Sequence, residues 1–351
     1  MTKLIALLVV MVAACEAPAP VTPILSVLKR TDTCFALMTP DNPVPSELAV
    51  PNICDGDTFP TIYAGVDLVE IVIDYGPEVD FAATTVAPAP TVEVVVDGVA
   101  NPVRIDVSPE QRLGSRAFFL ATFRAPTVSS TDVRIAAGAG EGFHTESPTI
   151  FATVPPPISF ALAECQPGLA CTLVAVVGGV HATVSVPGDV AVPIVIHQTI
   201  DQLLQPDTIA VTATPSGGSA AASVAIEVPT GTAWSLAAQV GDGRSAPVSI
   251  ALVPPTIEAH LSCGTACTVI RGGQVGLAIT APGAIHPARA LVTTKLGGVP
   301  QLIAAPIDLE VAGGVASGLV TLTAPTNAVG TWEIAVTVAG FAAPTIEATV
   351  Q

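Results

Sequence analysis

Along most of this chain apolar and polar residues alternate in short runs, and Pro or Gly closes each run. Trp332, Ile334, Val336 and Val338 fall on one face of such a run, with Glu333, Ala335 and Thr337 on the other. Trp234, Leu236, Ala238 and Val240 repeat the pattern upstream, and Val133, Ile135 and Ala137 repeat it again. A period of two marks a half-buried strand. Asp97-Gly98 and Gly297-Gly298 read as two-residue hairpin turns. Long helical patterns are missing, and short β-branched runs between turn residues are the mark of all-β sandwiches. Exposed tryptophans would stack on sugar rings. Both of these sit at the core phase of their strand, where the first copy has Val133, so core packing is expected.

The runs belong to a repeat. SPTIFATV (147–154), APVSIALV (246–253) and APTIEATV (343–350) are three versions of one segment. Their prolines, Pro148, Pro247 and Pro344, lie about 100 residues apart, the size of an immunoglobulin-type sandwich. A Pro-Thr pair precedes the alternating strand in each copy: Pro126-Thr127, Pro229-Thr230 and Pro325-Thr326. The copies therefore divide the chain into modules 22–154, 155–253 and 254–351. PPP (155–157) and PP (254–255) join them as short, stiff linkers, because proline fixes φ and removes amide donors.

The N-terminus breaks the pattern. Lys3 is followed by an apolar stretch, Leu4 to Ala14, that is too short to span a bilayer and fits a signal segment. Its end, Val12-Ala13-Ala14-Cys15, resembles the lipobox of bacterial lipoproteins. That resemblance implies cleavage after residue 14, diacylglyceryl and acyl modification (palmitate among the chains) on Cys15, and attachment to a membrane through lipid. Two or three chains anchor stably where one does not. Glu16, rather than an Asp, follows the cysteine, and by analogy with the family this favours the outer membrane over the inner. Residues 15–21 form a Pro-rich tether that would reach about 20 Å, keeping the first module near the membrane. The implied location is the bacterial cell envelope.

Six cysteines remain besides Cys15, an even number in an exported chain, and this suggests disulfides. Each module opens with Pro, a short strand and then Cys. A second Cys follows nearby, so the expected bridges are Cys34–Cys54, Cys165–Cys171 and Cys263–Cys267. The modules resemble the broad immunoglobulin-like and fibronectin-III-like repeats of bacterial surface proteins, without the Cys-Trp-Cys spacing of antibody domains. The expected architecture is three tandem sandwiches after a cleaved leader.

Charge narrows the function. Asp and Glu number 29 against 12 Lys and Arg, a net −17 at pH 7. Such a chain repels nucleic acid, whose phosphates need clustered cations. No Lys or Arg occurs from residue 31 to 103, while twelve acids do. Asp55-Gly56-Asp57 is a fragment of a calcium loop, without the full pattern, and makes Asp55 and Asp57 candidate Ca2+ ligands. The first module also carries an inserted loop, 35–53, held between Cys34 and Cys54, and disulfide-held loops are favoured places for binding. His144, His181, His197, His260 and His286 show no metal-site spacing, and no G-x-S-x-G or Walker motif occurs. No enzyme and no obligatory cofactor is expected. The leading expectation is an envelope lipoprotein whose modules serve adhesion or scaffolding toward a protein partner in the envelope or at the cell surface. The alternative is calcium-dependent binding of glycan or peptidoglycan by the acidic first module.

Overall fold

The structure, a computed structural model, describes residues 23–30, 34–37, 44, 61–76, 87–114, 116–139, 143–146, 151–166, 169–301 and 306–351. The leader, the tether with Cys15, most of the 35–53 loop, and Cys54, Asp55 and Asp57 lie outside these residues.

All regular structure among the described residues is β-strand. The period-two runs place branched side chains alternately on the two faces of a pleat, where they pack best. The first set of strands begins with β1 (Ile24–Arg30), β2 (Phe35–Leu37), β3 (Ile62–Tyr63), β4 (Leu68–Asp74), β5 (Thr91–Val96) and β6 (Val99–Asn101). It continues with β7 (Ile105–Val107), β8 (Gln111–Leu113), β9 (Arg116–Arg124), β10 (Ser130–Ala139), β11 (Phe143–Glu146) and β12 (Phe151–Val154). One sheet runs β2-β1-β4-β9-β7 and the other β3-β12-β10-β5-β6. Leu25, Ile71, Ile73, Phe119 and Phe123 of the first sheet meet Val94, Val133, Ile135 and Phe151 of the second in one core.

The second set opens with β13 (Ser159–Leu162), β14 (Cys171–Val174), β15 (Gly179–Pro187), β16 (Val192–Ile200) and β17 (Leu203–Leu204). It closes with β18 (Ile209–Ser216), β19 (Ser219–Glu227), β20 (Ala233–Val240), β21 (Gly243–Arg244) and β22 (Val248–Val253). Strand β18 pairs with β16 through Ile209–Ala213 and then with β19 through Thr214–Ser216, so it passes from one sheet to the other.

The third set is β23 (Glu258–Leu261), β24 (Thr268–Val269), β25 (Gln274–Pro282), β26 (Arg289–Leu296), β27 (Val299–Pro300) and β28 (Ile307–Asp308). With them go β29 (Glu310–Ala312), β30 (Val315–Thr323), β31 (Gly330–Val338), β32 (Phe341–Ala342) and β33 (Ile346–Val350). Its sheets run β23-β25-β30-β29 and β24-β33-β31-β26-β27. The first, second, fifth and fourth principal strands share one sheet, and the third, sixth and seventh share the other. That is the immunoglobulin-type order. In every set a short strand leaves the first and pairs parallel with the last: β3 with β12, β14 with β22, and β24 with β33.

The alternating strands lie where their pattern put them. Trp332, Ile334, Val336 and Val338 are at most 1% exposed, and Trp234, Leu236, Ala238, Val133 and Ile135 are equally buried. Both tryptophan Nε1 groups lack a hydrogen-bond partner among the described residues, so these rings serve the core by area alone.

By contact the chain forms two compact units: residues to Pro156 with Pro187–Val190, and Pro157–Val186 with Ala191–Gln351. The second unit holds the second and third sandwiches. Its cause is a main-chain junction. Gly178 N–H donates to the Ala284 carbonyl at 3.0 Å, and His286 N–H donates to the Val176 carbonyl at 2.9 Å. Val177 and Ile285 form a bridge between these bonds. Val176 takes a left-handed φ of 56° and sends its buried side chain into the core of the third sandwich.

Candidate functional site

Cys165 and Cys171 are bridged, as are Cys263 and Cys267, each pair with Cα atoms 5.2 Å apart. Each bridge spans the point where the chain leaves β13 or β23 and crosses to β14 or β24 in the opposite sheet. Cys34, at the corresponding point after β1, is disulfide-bonded as well. Its expected partner Cys54 lies outside the described residues, as do Cys15, Asp55 and Asp57. Among the described residues no group of three or more His, Cys, Asp or Glu is placed to hold a metal.

Two acids of the first module, Asp67 and Asp74, are buried and paired. Asp67 is buried, and its carboxylate pairs with Lys29 Nζ at 2.8 Å and accepts the Tyr63 N–H at 2.6 Å. Lys29 also stands 5.4 Å from the centroid of the Tyr63 ring. Asp74 is buried too and takes a two-pronged contact from Arg116, with Nε at 2.8 Å, together with the Gly76 N–H at 2.9 Å. These cations lie outside the Lys- and Arg-free span, so reading that span alone overstated its free negative charge. Glu70 is half-buried, and burial raises its pKa against the pull of Arg30. Burial and the neighbouring Glu110 push the Tyr75 hydroxyl up to about 12, while it donates to the Pro88 carbonyl at 2.7 Å.

The described part of the 35–53 loop covers a sheet. Leu28, Val72 and Phe118 point away from the main core, and Val44 and Phe35 pack on them. β2 extends the same sheet by pairing Leu28–Arg30 with Phe35–Leu37. This sheet is apolar on both faces, and Phe35 and Val44 pack on the second. For these residues the structure shows packing where the sequence suggested a binding loop.

A groove of about 700 Å³ lies in the third sandwich, between β23 and the start of β33. Ile257, Ala259, Leu261, Pro344, Ile346 and Glu347 line it. Two strand edges face into it. Ser262 N–H donates to the Gly276 carbonyl at 2.8 Å, which sets the phase of the β23–β25 ladder. Glu258 and His260 therefore turn their main chain toward β25, and Ala259 turns its N–H and C=O toward the groove. On the other wall Thr349 N–H donates to the Cys267 carbonyl at 2.8 Å, and Gln351 N–H to the Val269 carbonyl at 3.0 Å. β24 bonds the main chain of Thr349 and Gln351, and beyond it the main chain of Glu347 turns to the groove. The lining residues include Glu258 and Glu347 and neither Lys nor Arg. Sequence patterning could not reveal this groove. It depends on how many residues of β24 pair with β33.

No protein-family model matches the chain, and no curated protein sequence matches it. Solved structures resemble it. The I67–I69 fragment of the titin I-band is 9% identical, with 83% of this chain and 93% of that one covered at a TM-score of 0.19. The D1–D4 ectodomain fragment of ICAM-5 is 14% identical over 83% and 74% at 0.24. The three N-terminal domains of the outer capsid protein Hoc of bacteriophage RB49 are 11% identical over 83% and 95% at 0.24. The strand order, not these likenesses, establishes the fold. The chain is all-β and built of tandem immunoglobulin-like sandwiches.

Proposed function

We propose that this chain is a non-enzymatic, lipid-anchored protein of the bacterial envelope that presents its sandwiches for adhesion or scaffolding. Its partner would contribute an extended segment to the groove of the third sandwich. The observation that carries this reading is the pair of uncovered strand edges, at Ala259 and Glu347, facing one groove. Unpaired main-chain donors and acceptors are templates for strand addition. Glu258 and Glu347 at the rim suit a segment carrying Lys or Arg, and the net charge of −17 would speed its approach.

The test is photocrosslinking in the native cells, with the photoreactive residue at position 259 and, as a control, at Ala278 on the outer face of the same sheet. A partner band at 259 that is absent at 278, and lost when Glu347→Pro blocks the facing edge, is the expected result. Equal crosslinking at both positions, or none at 259, overturns the strand-addition reading. The anchor is tested separately by fractionating cells that carry Cys15→Ser. Release from the membrane fraction is expected, and retention defeats it.

A further inference from the structure

We propose that the second sandwich binds a second copy of this chain through the outer face of β22, β20, β16 and β17, as a two-fold dimer. The first observation is charge. Those four strands contain no Lys, Arg, Asp or Glu, in a chain of net charge −17. The equivalent strands elsewhere do carry charge: Glu93, Asp132 and Arg134 in the first sandwich, and Arg289, Lys295, Glu333 and Glu347 in the third. Depletion of charge is the compositional mark of an interface core. Two strongly anionic copies repel least across strands that bear no carboxylate, and the charge at this face is the Arg244 guanidinium, which donates to Gln239 Oε1 at 3.3 Å.

The second observation is shape. The strand registers place Ser249, Ser235, Thr199 and Leu204 in one row across this face. Leu204 stands at one end and is 64% exposed, with Leu203 beside it at 70%. Beside it a hollow of about 480 Å³ runs over Thr199, Ser235 and Ser249 of the same row and reaches Gln202 and Ala251. A two-fold interface needs a patch complementary to itself, where residue i meets j and j meets i. A knob and a hollow on one face meet that condition: Leu204 of each copy enters the hollow of the other. A partner of different sequence would need only one of the two.

The third observation is rigidity. Leu203 and Leu204 follow a turn in which Asp201 and Gln202 both have left-handed φ, 49° and 68°. The Asp201 carboxylate accepts the Thr232 N–H at 2.8 Å, the Thr232 hydroxyl at 2.7 Å and the Ala233 N–H at 2.9 Å. The knob is therefore held before any partner arrives, which lowers the ordering cost of association. Four strands bury on the order of 500 Å² per copy, the small end of specific interfaces, so the dimer is expected to be weak and reversible.

Sedimentation velocity of the full chain, from about 1 to 200 μM, tests this, with Leu204→Ser removing the knob and Ser235→Arg filling the hollow. The expected result is a reversible dimer that each variant weakens at least about tenfold. Both positions lie on the surface, so an unchanged Tm verifies that each variant is folded. A wild type that stays monomeric throughout overturns the proposal, and so does a dimer indifferent to both variants.

Discussion

At the scale of single residues, the hairpin turns separate what a motif announces from what a neighbour enforces. Asp97-Gly98 and Gly297-Gly298 were legible because glycine adopts positive φ without strain, and both turns take φ values between 51° and 80°. The matching turn of the second sandwich, Asp201-Gln202, has no glycine and gave no signal. It forms because Thr232 and Ala233 donate to the Asp201 carboxylate, and the same bonds hold its pKa below the ordinary aspartate value. Gln202→Gly should therefore stabilise the second unit by about 0.5–1 kcal/mol, read from urea unfolding, since the glutamine bears a left-handed backbone that glycine accepts freely. Glu70 makes a pH-dependent prediction. Burial raises its folded pKa above 4.5, so the folded state holds that proton more tightly than the unfolded chain. Stability from this group is present at pH below 4.5 and is lost as pH rises through the folded pKa. Glu70→Gln should raise the Tm of the first unit at pH 7, and the gain should vanish below pH 4.

At the scale of elements, alternation fixed which strand face enters the core but not what covers the other face. In the second and third sandwiches the outward positions His181, Thr183, Ala278 and Thr280 of the first sheet are small or polar, and Leu319 opposite Ala278 is 76% exposed, so this face meets water. In the first sandwich Leu28, Val72 and Phe118 occupy such positions, so the sheet needs a second layer, and Phe35 and Val44 supply it. Val44→Asp would place an unpaired carboxylate in that layer. It should destabilise the first unit by about 2–4 kcal/mol, seen as a lower urea midpoint, and leave the second unit's transition in place. The disulfides act at the same scale. Each closes a crossover between sheets, and in the chain-entropy model short loops like these contribute about 2–3 kcal/mol.

At the scale of the whole molecule, the junction inside the second unit decides how many parts move independently. Val176 holds a φ of 56°, which a β-branched residue adopts only when its surroundings enforce it. Its main chain bonds to His286 and its side chain enters the core of the third sandwich. Calorimetry should show the second and third sandwiches melting together. Val176→Gly relaxes the backbone and withdraws the side chain, and it should split that transition in two. A single unsplit transition in the variant would show that the junction does not couple them.

The sequence by itself determined the all-β class, the repeat, the core face of the alternating strands, the two glycine-bearing hairpin turns and the local pairing of Cys165 with Cys171 and Cys263 with Cys267. Each of these is written in contacts between near neighbours along the chain. Tertiary structure alone decided the rest. Lys29 and Arg116 neutralise buried acids 38 and 42 residues away. A two-residue β24 leaves the edge of β33 open, and a strained Val176 ties two proline-separated sandwiches into one unit. Those features depend on which distant strands meet and at what register, and no local pattern of hydrophobic and polar residues encodes that.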